Sequence, residues 1–76
     1  SVAILGSTGY VGLELVKILV NHQHVSINFL GSENSSNKKI TEIETSLYKH
    51  KLPIIKSNSN FDPKNSDIVF LALLLS

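Results

Sequence analysis

The sequence predicts an α/β fold, a doubly wound parallel sheet covered on both faces, of which the chain holds the N-terminal fragment. Three observations carry that prediction. Apolar runs and one helix-periodic segment alternate as strand, helix, strand, mixed connection, strand. Glycine recurs at every third position where the first run meets the helical segment. The chain opens on Ser1 directly before an apolar run and stops at Ser76 directly after another, as expected of a piece excised from something longer, because small domains usually expose polar termini.

Val2 to Leu5 is a continuous apolar run closed by Gly6, the pattern of a buried strand in a parallel sheet. From Tyr10 to about Val20, the residues Val11, Leu15 and Leu19 recur at four-residue steps beside Val16 and Val20, with Glu14 and Lys17 on the opposite side, which predicts an amphipathic helix. Asn21, which tolerates the left-handed conformation, and His22 supply its stop. Val25 to Leu30 alternates Val25, Ile27 and Phe29 with polar residues and predicts the second strand, closed by Gly31. Residues 31–39, GSENSSNKK, form a polar loop, and Ile40, Ile43, Leu47 and Tyr48 follow as a short helix or irregular turn. Leu52 to Ile55 contains Pro53, which confines it to an edge or a strand start. Asp62 and Pro63 fit the N-cap and first position of a helical turn, and Ile68 to Leu75 predicts a last buried strand.

With 76 residues, 42% hydrophobic and 17% charged, the chain is globular in composition, although at this length only about 60% of the unfolded surface becomes buried. There is no cysteine, hence no disulfide framework. No signal peptide pattern is present, so a cytoplasmic location is expected. The longest apolar run, Ile68 to Leu75, is far below the ~18 residues of a membrane span. A net charge of +1 with dispersed lysines offers no footprint for nucleic acid. His22, His24 and His50 lack metal-ligand spacing and are expected at the surface, while Asp67, at a strand entry, is expected to be structural.

The functional signal is Gly6-Ser7-Thr8-Gly9-Tyr10-Val11-Gly12. Gly6 permits the turn off the strand, Gly9 lets backbone approach a ligand, and Gly12 lets helix and sheet pack closely. Backbone N–H groups at the helix start, with the Ser7 and Thr8 hydroxyls, are expected to face a pyrophosphate. The spacing differs from G-x-G-x-x-G, but strand, turn, helix and second strand supply the context of a Rossmann-like dinucleotide site. At the end of the second strand, Ser32 and Lys38 or Lys39 suit a 2′-phosphate, whereas Glu33 would repel it or hold a free diol.

On these residues the sequence resembles the N-terminal part of the N-acetyl-γ-glutamyl-phosphate reductase family of arginine biosynthesis, in the semialdehyde dehydrogenase group. The stretches VAILGSTGYVGLELVKILVNH at 2–22, GSENSSNKK at 31–39 and SDIVFLAL at 66–73 carry it, and Tyr10 followed by Gly12 and Glu14 is its most specific cue. The resemblance implies that residues 1–76 are a partial NADP-binding domain of a homo-oligomeric parent, whose catalytic and dimerising domain lies elsewhere. That parent reduces a small acyl phosphate through a thioester on a cysteine, with a histidine as acid and base. It further implies that Gly6, Ser7, Thr8, Gly9, Tyr10 and Val11 form the phosphate turn, and that Ser32 and Lys38 lie near the adenosine ribose. Leu73 is placed on the nicotinamide side, although the family usually continues there with Pro and a polar residue and this chain reads Leu74, Leu75, Ser76. Glu33 also departs from the basic or small polar residue common at its position. Rival readings are an aspartate-semialdehyde dehydrogenase, against which Tyr10 argues, an extended short-chain reductase or nucleotide-sugar epimerase, a non-catalytic NADP sensor, and a domain that binds nothing tightly.

Overall fold

A computed structural model of the chain describes residues 1–73. Strand β1 (Val2–Leu5) leads through helix α1 (Tyr10–Leu19) to β2 (Ile27–Gly31), and a long connection returns to β3 (Ile68–Leu71). The strands form an open parallel sheet in the order β2-β1-β3, the Rossmann-like α/β arrangement. Four short 3-10 turns, Ile40–Glu42, Thr45–Leu47, Asn58–Asn60 and Pro63–Asn65, occupy the long connection.

The helix follows from its buried face. Gly12 and Val16 sit against the sheet, flanked by Leu13, Leu15, Leu19 and Val20. Val11, expected on that face, is 60% exposed, because it lies roughly 140° around the helix from Val16 at 100° per residue. The helix stops differently from expectation as well. Asn21 stays out of the left-handed region. Instead the N–H groups of Asn21 and His22 bond Ile18 and Leu19 in tightened turns, and Asn21 Nδ2 donates to the Lys17 carbonyl at 3.2 Å. The described non-glycine residue with positive φ is Asn37, in the polar loop.

β2 starts two residues later than expected. An irregularity pairs Val2 with Ile27 but Ala3 with Phe29, so Asn28 is the extra residue of a bulge. The bulge breaks the alternation read from the sequence. Ile27 and Leu30 both reach the core beside Val2 and Ile4, while Phe29 turns to the other face and meets Phe61 with ring centroids 5.3 Å apart.

The core joins Val2, Ile4, Leu30 and Val16 to Ile40, Leu47 and Ile55 of the long connection. Complete burial of an Ile or Leu contributes about 1.5–3 kcal/mol, so the connection is a working part of the core. Leu52–Ile55 forms no strand of its own. It leads into Lys56, which bridges Gly31 in parallel at the free edge of β2, with Lys56 N–H bonding Leu30 and Ser32 N–H bonding Lys56.

Cover of the two faces is unequal among the described residues: α1 packs on one, and Phe61 packs against Phe29 on the other. The last strand is correspondingly not buried. Ile68 and Leu71 are 54% and 70% exposed because β3 is an edge with little packed against it. The strand also ends earlier than expected: Ala72 and Leu73 have left it to wall the ligand side of the sheet, and Leu74 and Leu75 lie outside the described residues.

Candidate functional site

β2 lies on one side of β1 and β3 on the other, so the chain changes direction at the carboxyl end of β1, the place where open α/β sheets form a ligand crevice. The glycine turn fills that place. Gly6 adopts φ +79°, and a Cβ there would stand 2.5 Å from the Ala72 carbonyl oxygen. At Gly12 a Cβ would strike the Gly6 carbonyl and lie 2.8 Å from Ser7 Cα. The fold itself demands both glycines. Gly9 is different: its backbone is extended at φ −73° and ψ 171°, and an added Cβ would make only a 3.6 Å contact with Gly6 O. Nothing in the described protein forbids a side chain at Gly9, and it would project into the crevice that this residue lines.

Behind Gly9 the start of α1 is uncapped, with no side-chain cap and no acidic residue in the first turn. Leu13 N–H bonds Gly9 O at 2.9 Å, and the N–H groups of Tyr10, Val11 and Gly12 find no acceptor among the described residues. Such a terminus, at the positive end of the helix dipole, is suited to a phosphate group.

Two open depressions meet at Gly9, Ala72 and Leu73. One, about 180 Å³, reaches over Gly6 and Thr8 to Ser32, Glu33 and Asn58. The other, about 280 Å³, is walled by Tyr10, Val11 and Leu71. Tyr10 is 87% exposed at this rim.

Ser7 departs from expectation. It is fully buried, and both its N–H and its hydroxyl donate to Gly31 O, at 2.7 and 3.1 Å, so its hydroxyl ties the turn to β2 instead of facing a phosphate. The Thr8 and Ser32 hydroxyls lie 2.6 Å apart; one donates to the other, and the acceptor keeps its own proton for a further partner. Lys38 is not brought to the crevice. It is exposed and lines neither depression, and its carbonyl accepts from Ile55 N–H at 2.9 Å, which fixes the loop beside the core. Glu33 does reach the crevice, but its carboxylate accepts from Ser57 Oγ at 2.8 and 3.0 Å and from Asn58 N–H at 2.6 Å. Asn34 and Asn58 line the crevice without having been singled out in the sequence, where they stood in polar stretches with no spacing to mark them.

Charge perturbations lie elsewhere. The hydrogen bond to Glu14 and the charges of Glu14 and Glu44 hold the Lys17 ammonium above its ordinary value, and the Ser46 hydroxyl holds Glu44 below its own. These groups join α1 to the long connection through a 3.6 Å ion pair between Lys17 and Glu44. Asp67 stands at the amino end of β3, opposite the crevice. Among the described residues no three His, Cys, Asp or Glu side chains converge as a metal site, and no helix is long and apolar enough to cross a membrane.

A profile of the family described as semialdehyde dehydrogenase, NAD binding domain, matches residues 1–74. The chain belongs to that family. As a semialdehyde dehydrogenase NAD-binding domain it takes a nicotinamide dinucleotide, the ligand that suits a crevice with an uncapped helix start at its floor. Similar proteins include the N-acetyl-γ-glutamyl-phosphate reductases of Halothermothrix orenii, 41% identical over 73 residues, of Campylobacter jejuni strain 81-176, 39% over 71, and of Ehrlichia chaffeensis, 38% over 74. These alignments cover 95%, 93% and 96% of the chain but 21%, 20% and 21% of the relatives, so this NAD-binding domain spans about a fifth of the length of the curated relatives it matches.

Proposed function

We propose that the chain is the NADP-binding part of an N-acetyl-γ-glutamyl-phosphate reductase, which reduces N-acetyl-γ-glutamyl phosphate to the semialdehyde. The observation that carries this reading is Gly9, whose missing side chain leaves open the space over the uncapped start of α1. A pyrophosphate there accepts from the N–H groups of Tyr10, Val11 and Gly12, and Gly6 and Gly12 keep the turn close enough to the sheet to present them. The hydroxyl pair of Thr8 and Ser32 contributes one free proton on the adenosine side. Tyr10, Val11 and Leu73 wall the depression assigned to the nicotinamide half. When bound, the dinucleotide supplies the hydride; the chain's own residues hold and orient it.

NADP over NAD rests on the family resemblance read in the sequence. In the crevice Glu33 is the acidic residue nearest the end of β2: its carboxylate is committed to Ser57 and Asn58, which disfavours a grip on a ribose diol, but its negative charge opposes a 2′-phosphate and Lys38 does not reach it. The chain contains no cysteine, so the thioester chemistry of this reading is assigned to the part of a cytoplasmic, homo-oligomeric parent beyond these residues.

Gly9→Ala tests the reading. In the full-length protein, folding stability should stay within about 1 kcal/mol, since alanine adopts this backbone without strain. NADPH affinity, followed by the cofactor's own emission, should fall about tenfold or more, equivalent to ~1.4 kcal/mol. Unchanged affinity would show that no ligand approaches Gly9.

A further inference from the structure

We propose that Asn58 is a further cofactor-contacting residue, its Nδ2 donating to an oxygen of the adenosine-side ribose, and that Glu33 is the residue that positions it. The assignment rests on the dinucleotide reading above and goes beyond it by naming the donor on the ribose side.

The orientation of the Asn58 amide is fixed by chemistry. Gly6 N–H, which also donates to Gly31 O at 2.9 Å, points at it from 3.1 Å, and an N–H can be received only by the amide oxygen, so Oδ1 faces the turn and Nδ2 faces away. Among the described residues Nδ2 has no hydrogen-bond partner, and it is not a buried orphan either, so it is open to the crevice that Asn58 lines. The side chain lies across the carboxyl ends of β1 and β2: it touches Gly6 after one, and a Cβ on Gly31 at the end of the other would collide with Oδ1. A ribose sits at the end of the second strand of such a sheet. Ser32, on the same wall, shares a proton with Thr8, so the amide and the hydroxyl pair present donors to one acceptor-rich ligand.

Glu33 explains how a residue in an irregular turn comes to stand there. Its carboxylate receives Asn58 N–H at 2.6 Å and Ser57 Oγ at 2.8 Å, which anchors the start of the Asn58–Asn60 turn to the residue just past Ser32. Loss of that anchor frees Asn58 from Gly6 without touching the ligand directly.

The test uses the full-length protein, with NADPH and NADH titrated calorimetrically and ligand-free unfolding recorded in parallel. Asn58→Asp keeps an acceptor for Gly6 N–H and removes the donor, and Asn34→Asp places the same charge on the same wall. The expected result is unaltered ligand-free unfolding, with both affinities about tenfold lower in N58D than in N34D. Asn58→Ser removes the amide without adding charge, and the same loss is expected there if N58D fails to fold. Glu33→Ala should lower NADH affinity in proportion to N58S, and Glu33→Gln, which retains an acceptor, should restore most of it. Equal affinities in N58D and N34D, or in N58S and wild type, overturn the role of Asn58 while the dinucleotide reading stands. A loss confined to NADH that E33Q does not restore marks Glu33 as a diol ligand and overturns its positioning role. Wild-type protein that binds neither cofactor overturns the dinucleotide reading and this assignment together.

Discussion

The two connections that leave the carboxyl ends of β1 and β2 are built on different principles. The first, residues 6–26, is a tight glycine turn and a ten-residue helix whose own ladder satisfies its backbone beyond the first three N–H groups and whose apolar face meets the sheet. The second, residues 32–67, has no α-helix; three of its four 3-10 turns are pinned by side chains, with Glu42 accepting from Lys39 N–H, Glu33 from Asn58 N–H, and Asp62 from Lys64 N–H. Yet both deliver buried side chains to one core, and both deliver residues to one crevice. The difference teaches that a regular element presents backbone N–H groups to a ligand, whereas an irregular one presents chosen side chains.

The largest effect is expected in the first connection. Gly12→Ala places a Cβ against the Gly6 carbonyl and 2.8 Å from Ser7 Cα, backbone atoms that cannot yield without displacing the turn from the sheet. Destabilisation of about 3 kcal/mol or more is expected in urea unfolding, with cofactor binding lost as a consequence. A cost below ~1 kcal/mol would mean that α1 and the turn can separate, and the contrast with Gly9→Ala would disappear.

Next comes the contribution of the irregular connection to the core. Leu47 is 3% exposed and packs in the same cluster as Ile4 and Val16 although its turn is only three residues long. Leu47→Ala should cost roughly 2–4 kcal/mol, the range for a buried leucine that leaves a cavity. If the cost is a few tenths, the connection is a polar cover laid over a core completed by the first connection alone.

The same division governs what could be read from the sequence. Val2–Leu5, the helix from Tyr10, the three glycines and the Asp62-Pro63 turn were legible because their causes are local: an apolar run, a period, a φ preference, a cap. The bulge at Asn28, the inward turn of Ser7 and the place of Asn58 were not, because each depends on a partner far along the chain. Ser7 Oγ finds Gly31 across 24 positions and Gly6 finds Asn58 across 52. Lys38 and Ser32 were read together from one polar loop, and only Ser32 reaches the crevice, since Lys38 is held by the pairing of its carbonyl with Ile55. The exposure of Ile68 and Leu71 was equally illegible, because an apolar run is the same string of letters on an edge strand as on a central one.

The smallest effect tests whether the side-chain pins of the second connection act singly. Asp62 caps Pro63–Asn65 by accepting from Lys64 N–H at 3.0 Å, and Pro63 at the first position already restricts the backbone. The far end of that turn is held independently. Asn28 Nδ2 donates to Asn65 O at 2.6 Å, and Ser66 Oγ donates to Asn28 Oδ1 at 2.7 Å, so the bulged residue of β2 clamps the approach to β3. Asp62→Ala should therefore cost about 1 kcal/mol or somewhat less, the usual worth of an exposed cap, and Asp62→Asn should recover nearly all of it because the amide oxygen still accepts. A cost well above that range would mean that cap and clamp act as one network in which loss of either releases both. The Asp62→Ala, Asn28→Ala double variant, measured beside the single ones, separates the cases: additive costs mark independent pins, and a shortfall of more than about 0.5 kcal/mol marks a cooperative one.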